Sequence, residues 1–488
     1  MSCSKSYNHK KKHCKDVILK KFKGVNGYNI IPADANCAVG EKDYITMVNS
    51  SIIFYDKCSN KINAQYPLSS FPITTMITNQ PFFPIDNFMS DPWIVYDPHV
   101  KRFALVALAF IDSNNARLYF AVSKSETFCD YLNDWNKYFI DFGYGSADNF
   151  PDYPKLGFDA KHYYITARVF LNPGFEDRIY GFTKKEVLKG EPINEVVNTA
   201  FGGGVDFIHP LKVFDCHTPM VFVFSDLVTN PATTIFFITI NFVDDLPVVN
   251  GPISFTVEPY YQPDDVTQLG GSQLDTLGSM FMSGSLRHKH IWISHTVGLS
   301  DGGVKTRWYD IIYDGISFVM NQFQTIGLCD LTTSYWMSHI DVDCDGNMGL
   351  GFSYLDSTSP NGAGLAATGR LRDDIPYSTH MITILKKGKG IYNIQGEGVN
   401  RWGDYSGCCY DPCHCKQFWI FNQYGYDTSV ITNVSFKTQN ALFELVETDL
   451  CCQQLPPRNN NVVSNTDVFN PHAELEHVKR QPVILIKY

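Results

Sequence analysis

No apolar run in the sequence approaches the ~18 residues that a membrane helix needs. Among the longest is the stretch from Phe103 to Ile111, which suits a buried strand instead. The lysines near the start are not followed by an apolar segment, so an ordinary secretory signal is not expected. Charge is scarce at 18 %, and the net charge of −10 has the wrong sign for a protein held to nucleic acid by phosphate contacts. Catalytic signatures are missing too. There is no Gly-x-Ser-x-Gly elbow and no His-Glu-x-x-His, and Gly202-Gly203-Gly204 lacks the Lys-Ser/Thr that a phosphate-cradling loop would carry next. A sialidase-like site needs clustered arginines and Ser-x-Asp-x-Gly-x-x-Trp turns. Those turns are absent, and only Arg102, Arg168, Arg370 and Arg401 fall in suitable strand or loop positions.

What is present is aromatic and repetitive. Aromatics make up 14 % of the chain, which fits strands with buried ring-bearing faces. Arg401-Trp402-Gly403-Asp404-Tyr405-Ser406 leads through Gly407–Tyr410 to an Asp411-Pro412 turn and a second strand, Phe418–Phe421. Asp91-Pro92-Trp93-Ile94-Val95-Tyr96 runs in the same way to Asp97-Pro98, and Asp152-Tyr153-Pro154-Lys155-Leu156-Gly157 to Asp159. A lead-in aspartate thus stands six or seven positions before a turn aspartate in three units (Asp91, Asp152, Asp404). One hairpin unit copied along a chain implies one small sheet copied around an axis. The expected fold is therefore all-β, a β-propeller of seven four-stranded blades of ~50 residues, with six or eight as the alternatives. Its expected span is residues 29–450, with a basic flexible arm at 1–28 and, at 451–488, a linker and extension ending in the strand Pro482–Ile486.

In a propeller the start of each innermost strand crowds around one mouth of the central channel. Asp91, Asp152 and Asp404, with Lys155, Arg401 and Tyr405 beside them in sequence, form the candidate ligand-binding ring, suited to a cation, a sugar or a charged peptide. The competing structural reading is that each Asp caps a turn or locks blades together. A second candidate is Asp341-Val342-Asp343-Cys344-Asp345-Gly346-Asn347, whose alternating carboxylates at Asp341, Asp343 and Asp345 suggest a Ca2+ loop. Against that reading, Phe352 stands where the loop's closing Glu would be, and Asp345-Gly346-Asn347 reads as a hairpin turn. The 14 cysteines include Cys408, Cys409, Cys413 and Cys415, then Cys451 and Cys452. Disulfides, buried thiols or a zinc site would each use them. Residues 1–24 carry eight Lys against one Asp, either a solvated arm or a tether for nucleic acid.

Together these blocks resemble a little-characterised family of secreted bacterial β-propellers that also has members in giant DNA viruses. The matching stretches are Pro32–Gly40, Asn49-Ser50, Tyr55-Asp56-Lys57, Asp91-Pro92, Asp152–Gly157, Arg307-Trp308-Tyr309, Gly346-Asn347 with Gly351–Ser353, Thr368–Leu371, and Arg401–Ser406 with Asp411-Pro412 and Phe418-Trp419. They span residues 29–447 in order, and the chain departs from the pattern at Gln423, where the family often carries Glu. The resemblance implies a propeller but no catalytic mechanism. With no export signal expected, it implies a virion component, assembled in the host cytoplasm, that contacts glycans or other virion proteins. The expectation is a non-catalytic binding or structural protein. Its rivals are a carbohydrate-active hydrolase using mouth carboxylates and a nucleic-acid-associated core protein acting through the lysine arm.

Overall fold

A computed structural model describes residues 16–27, 32–49, 51–70, 88–112, 115–142, 150–393, 398–426, 436–447 and 453–454. Nearly all of the regular structure is β. After β1 (Val17–Gly27) come β2 (Asn36–Val39), β3 (Asp43–Val48), β4 (Ser51–Asp56) and β5 (Ile62–Pro67). They are followed by β6 (Phe88–Asp97), β7 (Arg102–Asp112), β8 (Asn115–Ser123) and β9 (Trp135–Asp141), then β10 (Phe150–Phe158), β11 (His162–Phe170), β12 (Phe175–Thr183) and β13 (Val197–Phe201). Next are β14 (His209–Pro210), β15 (Lys212–Val213), β16 (Met220–Ser225), β17 (Ala232–Val243) and β18 (Leu246–Tyr260). The chain continues through β19 (Phe281–Arg287), β20 (His290–Gly298), β21 (Val304–Tyr313) and β22 (Phe318–Thr325). It ends with β23 (Thr333–Val342), β24 (Met348–Asp356), β25 (Gly364–Arg370), β26 (Thr379–His380), β27 (Thr383–Lys386), β28 (Gly407–Tyr410), β29 (Gln417–Tyr424), β30 (Phe436–Glu444) and β31 (Gln453–Gln454).

Consecutive strands pair antiparallel into small sheets, and the first strands of those sheets touch in sequence. β2 contacts β6, β6 contacts β10, and the series runs through β14, β19, β23 and β28 back to β2. A closed circle of inner strands with meandering sheets radiating from it is a β-propeller. Apolar clusters lie between neighbouring sheets. Phe54 and Ile45 meet Ile94, Phe103 and Leu105, Val106 and Phe120 meet Tyr163 and Phe182, and at the seam Trp419 and Phe421 meet Tyr44 and Tyr55. A strand sandwiched in this way is buried on both faces, which explains unbroken apolar runs such as Met220–Ser225. Outermost strands keep one wet face, so β5 and β18 alternate instead.

Two expectations are corrected. Seven separate four-stranded blades are not found: five four-stranded sheets stand alone, beside one of nine strands in the order β13-β12-β11-β10-β15-β19-β20-β21-β22. The cause is β15, whose Lys212 pairs in parallel with Phe158 on one side and Ser285 on the other, bridging two antiparallel groups. The basic arm is also shorter than expected. Val17–Gly27 is the outer strand beside β30, and Lys20 Nζ donates to the carbonyls of Lys57 (2.7 Å) and Cys58 (3.0 Å). The remaining lysines of the arm, Cys451 and Cys452, and the terminal Pro482–Ile486 strand lie outside the described residues. Among those residues no helix is long and apolar enough to cross a membrane.

The residue before β1 is tied to the β25–β26 region by a buried triad. His380 Nδ1 lies 2.7 Å from Asp16 Oδ1, and its Nε2 lies 2.8 Å from Asp374 Oδ2. Burial works against the charged imidazole, but the two carboxylates outweigh it and its pKa is pushed up to about 9. A pKa raised above the unfolded value of ~6.5 contributes stability that is full below that value and is lost as pH climbs through about 9. Burial also holds the Asp16 carboxyl above its ordinary value, which offsets part of the gain. A net loss of about 2 kcal/mol between pH 6.5 and 10 is expected. Urea denaturation at the two pH values, with wild type and His380→Gln, checks this, since the variant's stability should lack that slope.

Candidate functional site

The inner strands share a backbone device. β6, β10, β19 and β23 each slip register near their beginnings, between Ser90 and Trp93, Asp152 and Lys155, Phe281 and Ser283, and Trp336 and His339. In three of these bulges a non-glycine residue takes the left-handed conformation: Asp91 (φ 52°), Tyr153 (φ 53°) and Met337 (φ 50°). A bulge leaves one residue unpaired and re-aims its neighbours, which is how the lead-in positions turn toward a common mouth. Asp34 (φ 47°) and Gly403 (φ 141°) serve the same turn before β2 and β28. At Gly403 the backbone sits where a side chain is costly, which accounts for the glycine.

Hydrogen bonds knit these starts together. Buried Asp34 accepts the Asp404 backbone N–H at 2.7 Å and the Asn49 amide at 2.5 Å, while Asn49 Oδ1 accepts the Asp91 N–H at 2.8 Å. Three lead-in segments, those of β2, β6 and β28, are thus held by one side-chain chain. Arg401 Nη2 donates to Asp404, and its Nε lies 3.7 Å from Asp275 Oδ2. Asp152 turns its Oδ1 to the Tyr153 N–H at 2.9 Å.

The charges interact strongly. Burial raises the Asp91 carboxyl, Asp404 and Asp152 raise it further, and its pKa is pushed up to about 7. Burial and then repulsion from Asp404 and Asp91 hold Asp34 well above the carboxylate range. Asp404 is also raised, by burial first, although Arg401 pulls the other way. Asp152 is raised by burial against the Tyr153 N–H and Arg401. Asp91 and Asp152 are half-buried, and the Arg401 side chain is 42 % exposed, so the cluster opens to solvent. Among the described residues no three of these carboxylates bring oxygens within 4.8 Å of one another.

The structure thus brings Asp91, Asp152, Asp404 and Arg401 together and separates the other two candidates from them. Lys155 is fully buried beneath the mouth, its Nζ donating to Phe281 O at 2.8 Å over the Tyr153 ring, and burial draws its pKa down to about 7. Tyr405 is buried too, stacked on Tyr153 at 5.2 Å with its hydroxyl bonded to Pro154 O at 3.2 Å. Trp93 meets Tyr405 edge-on and stacks on His339, which extends the aromatic cluster inward. Sequence reasoning missed Asp34, Asn49 and Asp275. The first two stood inside the recurring blocks, Asp34 two residues before its inner strand and Asp404 three before its own.

The calcium loop is not assembled. Asp341 pairs with Lys212 at 2.8 Å and accepts Ser285 Oγ at 2.7 Å, so its carboxylate is spent inside the channel. Asp343 accepts the N–H groups of Asp345, Asn347 and Lys416, the work of a turn, and exposed Asp345 sits at the tip. The arginines do not gather either: Arg168 is taken by Asp177 and Asp206, and Arg370 by Asp374 O. Cys408 and Cys409 diverge because neighbouring strand residues face opposite ways, and Cys413 and Cys415 lie beyond them in the turn before β29. Cys408 meets Gly349 O, Cys409 lies 3.5 Å from Cys37, Cys413 meets Glu41 O, and Cys415 lies 2.9 Å from Cys344. Every described cysteine is a free thiol.

No family model matches the chain, and no curated protein matches it. Among solved structures it is similar to a subtype N11 neuraminidase-like protein of A/flat-faced bat/Peru/033/2010 (H18N11). The two are 8 % identical over 74 % of this chain and 96 % of that one, with a TM-score of 0.37. An alpha-L-arabinofuranosidase from Fusarium graminearum is 11 % identical over 70 % and 90 %, at 0.36. An endo-arabinase from Bacteroides thetaiotaomicron is 15 % identical over 63 % and 95 %, at 0.29. The propeller assignment rests on the strand pairing described above.

Proposed function

We propose that the acidic mouth is a glycan-binding site. One observation carries this reading: the half-buried carboxylates of Asp91 and Asp152 and the buried one of Asp404 converge around the half-exposed guanidinium of Arg401. Sugar hydroxyls donate to carboxylates and accept from guanidinium, so acidic and basic groups side by side suit a polyhydroxy ligand. On this reading the nine-stranded sheet is two blades joined at the hub, giving seven repeats whose lead-in segments frame the mouth. The setting implied by the sequence blocks, a virus particle, extends the proposal: the glycans would belong to neighbouring coat proteins, and absence of the protein from purified particles would contradict that part.

A hydrolytic role is the second reading, favoured by the Asp91 carboxyl near pH 7, the range in which a general acid can give up its proton. Calorimetric titration with a panel of neutral oligosaccharides, followed by chromatography for released sugars, separates the two. Binding without release supports a recognition site. Release that declines as pH rises through 7, where Asp91 loses its proton, supports hydrolysis. No binding across the panel would contradict both.

A further inference from the structure

We infer that Cys344 and Cys415 are a covalent cross-linking site, oxidised to a disulfide that staples the turn after β23 to the turn between β28 and β29. The two residues belong to neighbouring sheets, and both are exposed. Their sulfurs lie 2.9 Å apart. That is closer than two sulfurs on a tetrahedral zinc, which Zn–S bonds of ~2.3 Å place about 3.7 Å apart. It leaves under an ångström to travel to the ~2.05 Å of a disulfide. Among the described residues one further donor, the Asp345 carboxylate, lies within reach of both, one short of a closed structural zinc site.

The two turns are already held in place by a bond next to the sulfurs. Lys416 N–H donates to Asp343 Oδ2 at 2.7 Å, so the residue after Cys415 is fastened to the residue before Cys344. Neither thiol must drag a mobile segment to reach the other. The other close pair, Cys37 and Cys409 at 3.5 Å, is buried where an oxidant cannot approach.

The oxidant is a low-molecular-weight disulfide such as oxidised glutathione. The Cys344 thiolate attacks it, forming a mixed disulfide and releasing one glutathione thiolate. Cys415 then loses its proton to solvent, its sulfur attacks the Cys344 sulfur, and the second glutathione leaves. Two protein thiols and one glutathione disulfide become one protein disulfide and two glutathione thiols. Because the bond joins positions 71 residues apart, it restricts the unfolded chain strongly.

The full chain is equilibrated with oxidised glutathione, remaining thiols are alkylated, and unreduced digests are mapped by mass spectrometry. The expected result is a Cys344–Cys415 cross-linked peptide lighter by two hydrogens, and a thermal midpoint raised by about 5 °C. Cys344→Ser and Cys415→Ser, at exposed positions, should fold normally and lose both effects. Full alkylation of Cys344 and Cys415 after oxidation would overturn the inference, as would a zinc ion bound per chain that both serine variants release.

Discussion

Replacing Lys57 by methionine should destabilise the protein by about 3–5 kcal/mol, the usual cost of leaving one partner of a buried ion pair behind. Lys57 Nζ lies 2.9 Å from Asp411 Oδ1, with the two side chains 5 % and 2 % exposed, and also donates to Gly40 O at 3.0 Å. Lys57 follows β4 in the first sheet and Asp411 follows β28 in the last, so the pair fastens the ring across its seam. Asp411 also accepts Trp419 Nε1 at 3.0 Å and the Cys413 N–H at 2.9 Å. Burial alone would raise this carboxyl; Trp419 and Lys57 outweigh it and hold it below its ordinary range. A depressed carboxyl stabilises above the unfolded pKa of ~3.9 and loses that contribution as pH falls through the folded value. The penalty in Lys57→Met should therefore be greatest at pH 7 and shrink toward pH 4, where Asp411 can take a proton. Lys57→Met/Asp411→Leu should recover most of the loss. Denaturant unfolding at both pH values is the measurement; a single-variant loss under ~0.5 kcal/mol, typical of an exposed pair, would show the latch to be idle.

Asp404→Asn should behave in the opposite way. It removes a buried charge that burial and the Asp152 and Asp275 carboxylates already disfavour, so stability at pH 7 should hold or rise. Glycan binding should fall at least tenfold, because the acceptor nearest Arg401 is lost. The Asp91 pKa should fall from about 7 once its strongest like-charged neighbour is gone. A residue whose removal costs binding while sparing stability is serving a ligand, and this contrast with Lys57 distinguishes site from scaffold.

The spacing between lead-in and turn aspartates was readable because each pair marks the entry and the closing turn of one inner strand. That spacing is what put Asp91, Asp152 and Asp404 at equivalent places in their units. Lys155 turns inward after the register slip between Asp152 and Lys155, which leaves no compositional mark, and Tyr405 is buried against Tyr153, a contact that adjacency in sequence does not reveal. The strand Val17–Gly27 was hidden by its lysines, which stand on the open edge of the last sheet. The bridge between two sheets rests on the two residues Lys212 and Val213, too few for any periodicity. Asp341 looked like a calcium ligand until its cation, Lys212, arrived from 129 positions away.

Selective 13C labelling of aspartate side chains, followed by NMR titration, tests the central claim that carboxylates from separate sheets share one mouth. The account predicts that the Asp91 signal, assigned by its loss in Asp91→Asn, titrates near pH 7 and moves downward in Asp404→Asn. An Asp91 carboxyl that titrates near pH 4 and ignores the Asp404 substitution would contradict it.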